Sequence, residues 1–558
     1  MKFSEMPYRR IDAEMFEEEL KGLTAVLQKA GSGEEQLRIH ERFYKLTDHE
    51  MTMATIAAIR HDINMTDPYY EEEQNYYDEK GPVFQNLVVA YQRALYESPY
   101  RNVLTQKIGP VAFRNIELAM RSTNELLVPL RQKENALITR YSKLLATAEI
   151  DWNGEKLNLS LMNPYLTSGN RTVRKAAWEK YTAFFTANEA ELDEIYDQMV
   201  KNRTEQAKLL GYDNYLPLGY DRMNRNCYDR TMVASFRRQV KRDWVPLAEE
   251  LHKRRAARLG LDRLAYYDEK VYFPEGNPAP DGTPQQILAA GGKMYAELSP
   301  ETAEFFRFMQ ENELFDVLGR KTKRTGGYMT YLPDYKAPFI FANFNGTSGD
   351  LDVITHECGH AFQGWLASED PVREHADITM ETAEIHSMSM EFFTEPWMQL
   401  FFGERAADYV NMHLEDAICF IPYGTMVDEF QDIIYSNPGM TPEERRRTWN
   451  ELEREYRPHM DYSGNAYLEQ GGFWQKQHHI YTLPLYYIDY CLAQSCALMY
   501  KIRMMQDRDA AWKSYLKLCR LSASDFYTGL LKQVGLDNPF EDGCLAGLAD
   551  AYRKLLSI

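Results

Sequence analysis

Two histidines and one glutamate stand at a spacing that favours metal chemistry. His356 and His360 are four residues apart, so on a helix their imidazoles project from one face and can bind a single zinc ion. Glu357 lies one step round the same helix, close enough to take a proton from a water molecule bound there. The flanking residues are apolar, and burying two unpaired histidines with a glutamate would be costly. The pattern H-E-x-x-H therefore predicts half of a catalytic zinc site.

A catalytic zinc needs a third protein ligand and leaves one position open for water. The longer motif H-E-x-x-H-x-x-G-x-x-H is absent, because Gln363 and Leu366 occupy its glycine and last histidine positions. Residues 376–400 are predicted to form a second apolar helix, packed beside the first, that carries several acids. By chemistry, its candidate ligands are Glu381, Glu384, His386 and Glu391. Spacing slightly favours Glu384 and Glu391, which share a face with Ser387, whereas Glu381 fits an N-terminal helix charge.

Two further acids are candidate hydrogen-bond partners of these ligands. Asp352 precedes His356 by one helical turn, where its carboxylate could accept the second imidazole proton and fix the tautomer. Glu391 could do the same for the other ligands. An ordinary surface or helix-capping role is the alternative for both acids.

A second group of polar side chains lies near the end of the chain, in the segment 471–490. Pro484 suits the first turn of a helix, which would leave His478 and His479 on the preceding loop. Tyr486 and Tyr490 would then lie one above the other. Imidazole and hydroxyl donors of this kind can stabilise the oxyanion of a tetrahedral intermediate. With 38 tyrosines in the chain, packing in a core or a channel wall is the alternative.

Helical periodicity covers most of the sequence. Apolar positions between Glu14 and Ala30 form one stripe that Gly31 ends, and similar amphipathic stretches run through 35–62, 83–109, 112–149, 170–210 and 228–259. Two short strands are predicted between Gly326 and Asn345. An exposed edge at Phe339–Phe344 could pair with an extended peptide. The sequence predicts a mainly α protein with a small β-sheet next to the zinc-binding helix.

Composition narrows the class of protein. With 64 Lys and Arg against 83 Asp and Glu, the net charge is −19, which disfavours binding to nucleic acid or to an anionic membrane. The seven cysteines are sparse and odd in number, so a disulfide framework is not expected. The N-terminus lacks the apolar region of an export signal, and no segment is apolar enough to span a membrane. We therefore expect a cytoplasmic protein.

The motifs together resemble those of the M3 family of zinc metallopeptidases, in particular its oligoendopeptidase F and Pz-peptidase branch. The resemblance is carried by residues 338–360, which end in His-Glu-Cys-Gly-His, and by Ala383-Glu384-Ile385-His386-Ser387. The opening residues 3–8 and the C-terminal His/Tyr segment are also similar. The resemblance implies a large two-lobed helical body with a deep central channel that admits short peptides. The corresponding lobes are a helical N-terminal lobe at 1–190 and a catalytic lobe at 191–558.

The family pattern also assigns roles to individual residues. It implies that His356, His360 and Glu384 bind one Zn²⁺ per chain, with Ser387 and Glu391 completing the pattern around Glu384. Glu357 corresponds to the general base, and His479 with Tyr486 or Tyr490 to the oxyanion donors.

We accordingly predict a zinc-dependent endopeptidase whose partners are short peptide substrates. The alternatives are an exopeptidase of the same zinc class, either a carboxydipeptidase or an aminopeptidase, and a catalytically silent peptide-binding protein. Three protein ligands argue against the silent form, since structural zinc sites usually have four.

Overall fold

Helices make up most of the protein. The structure, a computed structural model, describes residues 1–558, of which 71% are helical and 4% lie in strands. Globular proteins average about 30–35% helix, so the predicted mainly α fold with a small sheet is confirmed.

The first helix forms where apolar periodicity predicts it. The Asp12 side chain accepts hydrogen bonds from two backbone N–H groups at the start of α1 (Ala13–Lys29), as an N-cap does. The predicted apolar stripe of α1 is buried, and consists of Phe16, Leu20, Leu23 and Leu27. The helices that follow are α2 (Gly33–Ile63), α3 (Pro68–Tyr96), α4 (Arg101–Ile108), α5 (Pro110–Ser122) and α6 (Val128–Ala146).

Two predicted helical stretches in this region are wrong in extent. The stretch 83–109 is interrupted at residues 97–100, where Pro99 disfavours a helical conformation of the residue before it. The stretch 112–149 is divided between α5 and α6. A separate core of 14 buried residues lies wholly within residues 16–116, so these helices have an apolar centre of their own.

A larger core of 111 buried residues lies among the remaining helices and also includes Phe3 and residues Met53, Ile56 and Ile59 of α2. A π-helical segment, Val240–Trp244, joins two of its helices. The predicted division at residue 190 falls inside the helix Arg171–Leu209, and it stays a prediction. The helices are α7 (Asn163–Leu166), α8 (Arg171–Leu209), α9 (Tyr215–Arg222), α10 (Arg230–Gln239), α11 (Val245–Arg258), α12 (Pro284–Leu298), α13 (Pro300–Glu311), α14 (Gly349–Ala367), α15 (Met380–Phe393), α16 (Gln399–Phe402), α17 (Ala406–Ser436), α18 (Pro442–Tyr456), α19 (Ala466–Glu469), α20 (His478–Thr482), α21 (Tyr487–Gln506), α22 (Arg508–Leu521), α23 (Tyr527–Val534) and α24 (Cys544–Leu556). None of the helices is both long enough and apolar enough to cross a membrane.

Two small sheets complete the fold. The strands β1 (Ile150–Trp152) and β2 (Glu155–Leu157) form an antiparallel hairpin. The second sheet has the order β3-β5-β4, in which β5 (Ala337–Phe344) runs parallel to β3 (Phe315–Leu318) and antiparallel to β4 (Tyr328–Leu332). The two strands predicted between Gly326 and Asn345 are confirmed as β4 and β5, while β3 was not predicted.

The predicted exposed edge at Phe339–Phe344 is wrong. These residues belong to β5, which lies between the other two strands and is buried at all but one position. A continuous apolar run is typical of a strand covered on both faces, whereas an edge strand has one free row of backbone groups. The free edge next to the predicted site belongs to β4.

Candidate active site

The three predicted metal ligands meet where α14 packs against α15. His356 Nε2 and His360 Nε2 each lie 3.3 Å from Glu384 Oε2. The three ligand atoms all lie within 4.8 Å of one another. Two imidazole nitrogens and one carboxylate oxygen are donors that zinc accepts, and three protein ligands leave a further position open. The donor set therefore fits a catalytic metal ion.

The start of α14 is fixed by the turn that follows β5. The Asp350 carboxylate accepts hydrogen bonds from the backbone N–H groups of Asn345 and Gly346, each at 2.8 Å. Two turns later, His356 and His360 have ring centroids 5.0 Å apart on one face of the helix. The sheet and its turn thus set where the two imidazoles lie.

Gly359 allows the two ligand-bearing helices to touch. A Cβ atom at this position would lie 2.6 Å from the carbonyl oxygen of His386 and 2.6 Å from the Cα of Ser387. Both contacts are with the backbone of α15, which cannot move aside like the end of a flexible side chain. The glycine therefore brings Glu384 within reach of the histidines.

Glu391 orients the first histidine. Its Oε1 accepts a hydrogen bond from His356 Nδ1 at 2.6 Å, which leaves Nε2 of that ring for a metal ion. Its Oε2 accepts from His413 Nε2, also at 2.6 Å. Burial alone would raise the pKa of Glu391, but the two histidine donors hold it below its usual value. Burial would lower the pKa of His413, but its hydrogen bond to Glu391 raises it to about 10.

The predicted contact between Asp352 and His356 is wrong. Asp352 Oδ1 instead accepts a hydrogen bond from the hydroxyl of Tyr409, on α17, at 2.6 Å. Asp352 shares a helical face with His356, but it does not bind the imidazole, because the N–H of His356 already donates to Glu391 on α15. Burial raises the pKa of Asp352 to about 6.

Glu357 lines the cavity beside the three candidate ligands and is only 9% exposed. Burial raises the pKa of its carboxyl above the ordinary value, although the two neighbouring histidines oppose this. A carboxylate with a raised pKa is suited to accept a proton and to return it near neutral pH.

The alternative ligands on α15 lie elsewhere. Glu381 Oε1 accepts a hydrogen bond from Thr379 at 2.6 Å, and the Glu381 side chain is fully buried near Tyr228. His386 is also fully buried and neither of its ring nitrogens has a partner. Among the four candidates of this helix, only Glu384 joins the two histidines.

His479 and Tyr490 line the same cavity as the candidate metal ligands. The Gln477 side-chain amide donates to His479 Nδ1 at 3.1 Å, so Nε2 carries the imidazole proton. That Nε2 lies 3.3 Å from the Tyr490 hydroxyl. Burial lowers the pKa of His479 to about 4, which leaves the ring neutral and a donor at pH 7. The oxyanion role of both residues stays a prediction.

Tyr486 has a different partner. Its hydroxyl donates a short hydrogen bond to Glu384 Oε1, the oxygen that does not face the histidines. Its ring centroid lies 4.7 Å from that of Tyr490, as the spacing of four residues predicts. Tyr486 thereby holds the orientation of a candidate metal ligand. It also lines the cavity, and its predicted oxyanion role stays a prediction.

The predicted secondary structure around these tyrosines is wrong. His478 and His479 lie in the short helix α20 instead of a loop, and α21 begins at Tyr487, three residues after Pro484. Leu485 has φ +70°, a left-handed conformation that costs about 1–2 kcal/mol for such a residue. Its N–H donates to Gln431 Oε1 at 3.0 Å, and its carbonyl accepts from Arg225. These distant side chains stabilise the turn that places Tyr486.

The cavity in front of the site has a volume of about 1270 Å³. It is lined by the candidate ligands, by Glu357, His479 and Tyr490, and by three residues of the edge strand β4: Tyr328, Met329 and Tyr331. The free backbone groups of β4 can therefore pair with an extended chain inside the cavity.

Two family models match the chain over most of its length. One is described as Peptidase M3 N-terminal domain and matches residues 3–123. The other, Peptidase family M3, matches residues 165–279 and 297–550. The chain belongs to peptidase family M3. The predicted membership is confirmed, and the protein is a metallopeptidase.

Relatives of the M3 peptidase include solved structures and curated proteins. Pz peptidase A with an inhibitor is 46% identical with a TM-score of 0.98, over 100% of this chain and 99% of that one. Oligoendopeptidase-F from Enterococcus faecium is 16% identical with a TM-score of 0.61, over 98% of each chain, and shares the fold. Group B oligopeptidase PepB of Streptococcus agalactiae is 23% identical over 399 residues, 69% of this chain and 63% of that protein. The matched segments span less than two thirds of the curated relatives.

Three features of the M3 site were not predicted from the sequence. His413 hydrogen-bonds to Glu391, which lies 22 residues away in the chain. Gln477 hydrogen-bonds to His479 but belongs to no recognised motif. The turn at Leu485 has no local signal, since leucine ordinarily avoids positive φ. In the sequence, only His479 and the tyrosines that follow it indicated that the segment 471–490 belongs to the site.

Proposed function

We propose that this M3 metallopeptidase is a zinc-dependent endopeptidase that hydrolyses internal bonds of short oligopeptides. The observation that carries the proposal is the open His356–His360–Glu384 donor set, which faces a large cavity beside Glu357. The names of the relatives, oligopeptidase and oligoendopeptidase F, support the same class of substrate.

His356, His360 and Glu384 would hold the zinc ion, and Glu391 and Tyr486 would orient two of these ligands through their hydrogen bonds. When bound, zinc supplies Lewis-acid polarisation of the scissile carbonyl and acidifies water. The edge of β4 would hold the peptide backbone in an extended conformation in front of these residues.

Glu357 would accept a proton from the attacking water and return it to the leaving amine. The raised pKa that burial gives its carboxyl suits both steps, since the group must hold the proton between them. His479 Nε2 and the Tyr490 hydroxyl would donate hydrogen bonds to the carbonyl oxygen as it gains charge. One such donor is worth about 3 kcal/mol in comparable enzymes.

We also propose that the enzyme works in the cytoplasm. All seven cysteines are free, as is usual for a reducing compartment.

The experiment that tests the proposal uses an internally quenched peptide that is blocked at both ends. Its hydrolysis is measured before and after a chelator and after zinc is restored, with metal content determined on the same samples. We expect internal cleavage that is lost with the metal and restored by about one equivalent of zinc. Cleavage of unblocked peptides alone would indicate an exopeptidase. A fully zinc-loaded protein that cleaves neither kind of peptide would indicate a peptide-binding protein.

A further inference from the structure

Lys476 is a half-buried lysine on the cavity wall that has no carboxylate partner. It ends the 3₁₀-helical segment Gly472–Lys476, three residues before His479. No carboxylate oxygen lies within 4.0 Å of its Nζ, and Nζ donates no hydrogen bond to another residue. A cation that is partly removed from water and left unpaired is costly.

The other lysines and arginines of the cavity wall are either paired with a carboxylate or exposed to solvent. Arg324 pairs with Asp62 at 3.0 Å, and Arg373 pairs with Asp48 and Asp377, both at 3.0 Å. Lys336 is exposed, and its Nζ lies 3.4 Å from the carbonyl oxygen of Ser368. Lys476 therefore differs from all three in being both half-buried and unpaired.

The groups around Lys476 leave its positive charge without a neutralising partner. Its Nζ lies 4.1 Å from the ring centroid of Phe473 and 5.5 Å from that of Trp178, so aromatic faces support the ammonium without neutralising it. Glu269 has the largest charge effect on Lys476, but it is itself paired with Arg457. Burial lowers the pKa of Lys476 to about 8, which leaves most of the ammonium protonated at pH 7.

An anion that enters the cavity would meet this unpaired charge. The chain as a whole carries a net charge of −19, which opposes the approach of acidic ligands. A local cation on the cavity wall can overcome that effect for one carboxylate, because a partly desolvated charge pair interacts strongly. Peptides carry such carboxylates at the C-terminus and on Asp and Glu side chains.

We propose that Lys476 is a specificity-determining residue that binds one carboxylate of the peptide substrate. The inference rests on the proposed function, since its ligand is the peptide that the site cleaves. The bound carboxylate would fix the direction and register of the peptide along the cavity, relative to Glu357.

The test compares three forms of one internally quenched peptide. The first is amidated and contains no acidic residue, the second has a free C-terminal carboxylate, and the third is amidated with a single Glu placed in turn at each position. We expect the wild type to prefer one carboxylate form over the neutral peptide by about 10- to 100-fold in kcat/KM. The preferred form identifies the C-terminus or a side chain as the source.

Variants of Lys476 show whether the preference depends on this charge. Lys476→Met keeps an apolar stem against Phe473 and should reduce the ratio to about one, whereas Lys476→Arg should retain most of it. Lys476→Gln replaces the Met variant if that variant does not fold. Lys336→Met, on the same wall, is the matched control and should keep the wild-type ratio. Equal wild-type rates on all forms, or an unchanged ratio in Lys476→Met, would overturn the proposal.

Binding separates this inference from the proposed function. The same peptides are titrated by calorimetry into Glu357→Gln and into Glu357→Gln combined with Lys476→Met. Tighter binding of the carboxylate form that is lost with Lys476→Met would support the assignment even if the wild type cleaved nothing, in which case the proposed activity alone would be wrong. Absence of any difference in both assays would overturn the role of Lys476.

Discussion

At the residue scale, we expect Glu357 to have a role separate from that of the histidines on either side of it in the helix. The candidate metal donors are Nε2 of each histidine and Oε2 of Glu384, so a change at Glu357 leaves the donor set complete. We predict that Glu357→Gln keeps the fold and one equivalent of zinc while kcat falls by about 10²–10⁴-fold, the usual contribution of a general base. Steady-state kinetics and metal analysis of the same preparation check this. Wild-type turnover in the variant would remove Glu357 from the mechanism.

We expect Glu391 to affect the affinity for the metal ion as well as turnover. It accepts hydrogen bonds from both His356 and His413, and so fixes which imidazole nitrogen of His356 is free. Loss of such a partner typically lowers metal affinity about 10- to 100-fold. We predict a loss of this size for Glu391→Ala, measured by competition with a chelator of known zinc affinity.

Ser389 supplies the control for Glu391. It lies on the same helix, is fully buried, and its hydroxyl has no hydrogen-bond partner. Ser389→Ala should therefore leave the zinc affinity unchanged. Equal affinities in the two variants would mean that Glu391 does not orient His356.

At the scale of elements, the site depends on how closely α14 approaches α15. Alanine at Gly359 would place Cβ 2.6 Å from two backbone atoms of α15. Although alanine favours a helix by about 1 kcal/mol over glycine, we predict that Gly359→Ala lowers the free energy of unfolding by about 1–3 kcal/mol and weakens zinc binding. Denaturant unfolding of the metal-free protein and zinc titration measure the two effects.

Gly364 is the matched control on the same helix. A Cβ there would lie 3.6 Å from a side-chain carbon of Tyr331, an ordinary contact. Gly364→Ala should therefore leave zinc binding unchanged and should not destabilise the protein. A Gly359→Ala variant that behaves in the same way would show that the helices tolerate a wider separation.

The elements that local chemistry determines were predictable from the sequence. Helix α1 and the strands β4 and β5 follow from periodicity and turn residues alone. Among contacts between distant segments, the meeting of Glu384 with the two histidines was predicted from their motifs. Other such contacts were not: β5 is central because the unpredicted strand β3 pairs with it, and Asp352 is directed to Tyr409 on α17. The turn before Tyr486 depends on Arg225 and Gln431, which no local pattern connects to Leu485.

At the scale of the whole molecule, helix α2 connects the N-terminal core to the wall of the cavity. Toward its N-terminus His40 pairs with Glu374 at 2.6 Å, in its middle Asp48 pairs with Arg373 at 3.0 Å, and near its C-terminus Asp62 pairs with Arg324 at 3.0 Å. Arg373, Arg324 and Asp48 also line the cavity. The helices α2 and α6, through Asp48, Met51, Ser142 and Leu145, thus form part of the cavity wall, and we expect them to limit how a substrate approaches the site.

Because N-terminal helices form part of the cavity wall, we predict that a peptide bond must lie in an unfolded segment to be cleaved. The cavity of about 1270 Å³ exceeds the roughly 300–1,000 Å³ of ordinary ligand pockets, so it can hold an extended peptide, whereas a folded domain would meet the covering helices. If cleavage of a folded substrate requires its unfolding, the rate falls with the fraction unfolded. A domain stable by about 5 kcal/mol would then be cleaved about 10³–10⁴-fold more slowly than its unfolded chain.

A small disulfide-bonded domain that carries the preferred cleavage sequence in a loop tests this prediction with one amino-acid sequence. Its native form is compared with its reduced and alkylated form, and the products are followed by mass spectrometry. The free linear peptide is the control for intrinsic cleavage. We expect the alkylated chain to be cleaved at a rate close to that of the peptide and the native domain to resist. Similar rates for the native and alkylated forms would mean that the loop of a folded protein reaches Glu357, and that the N-terminal helices do not restrict access.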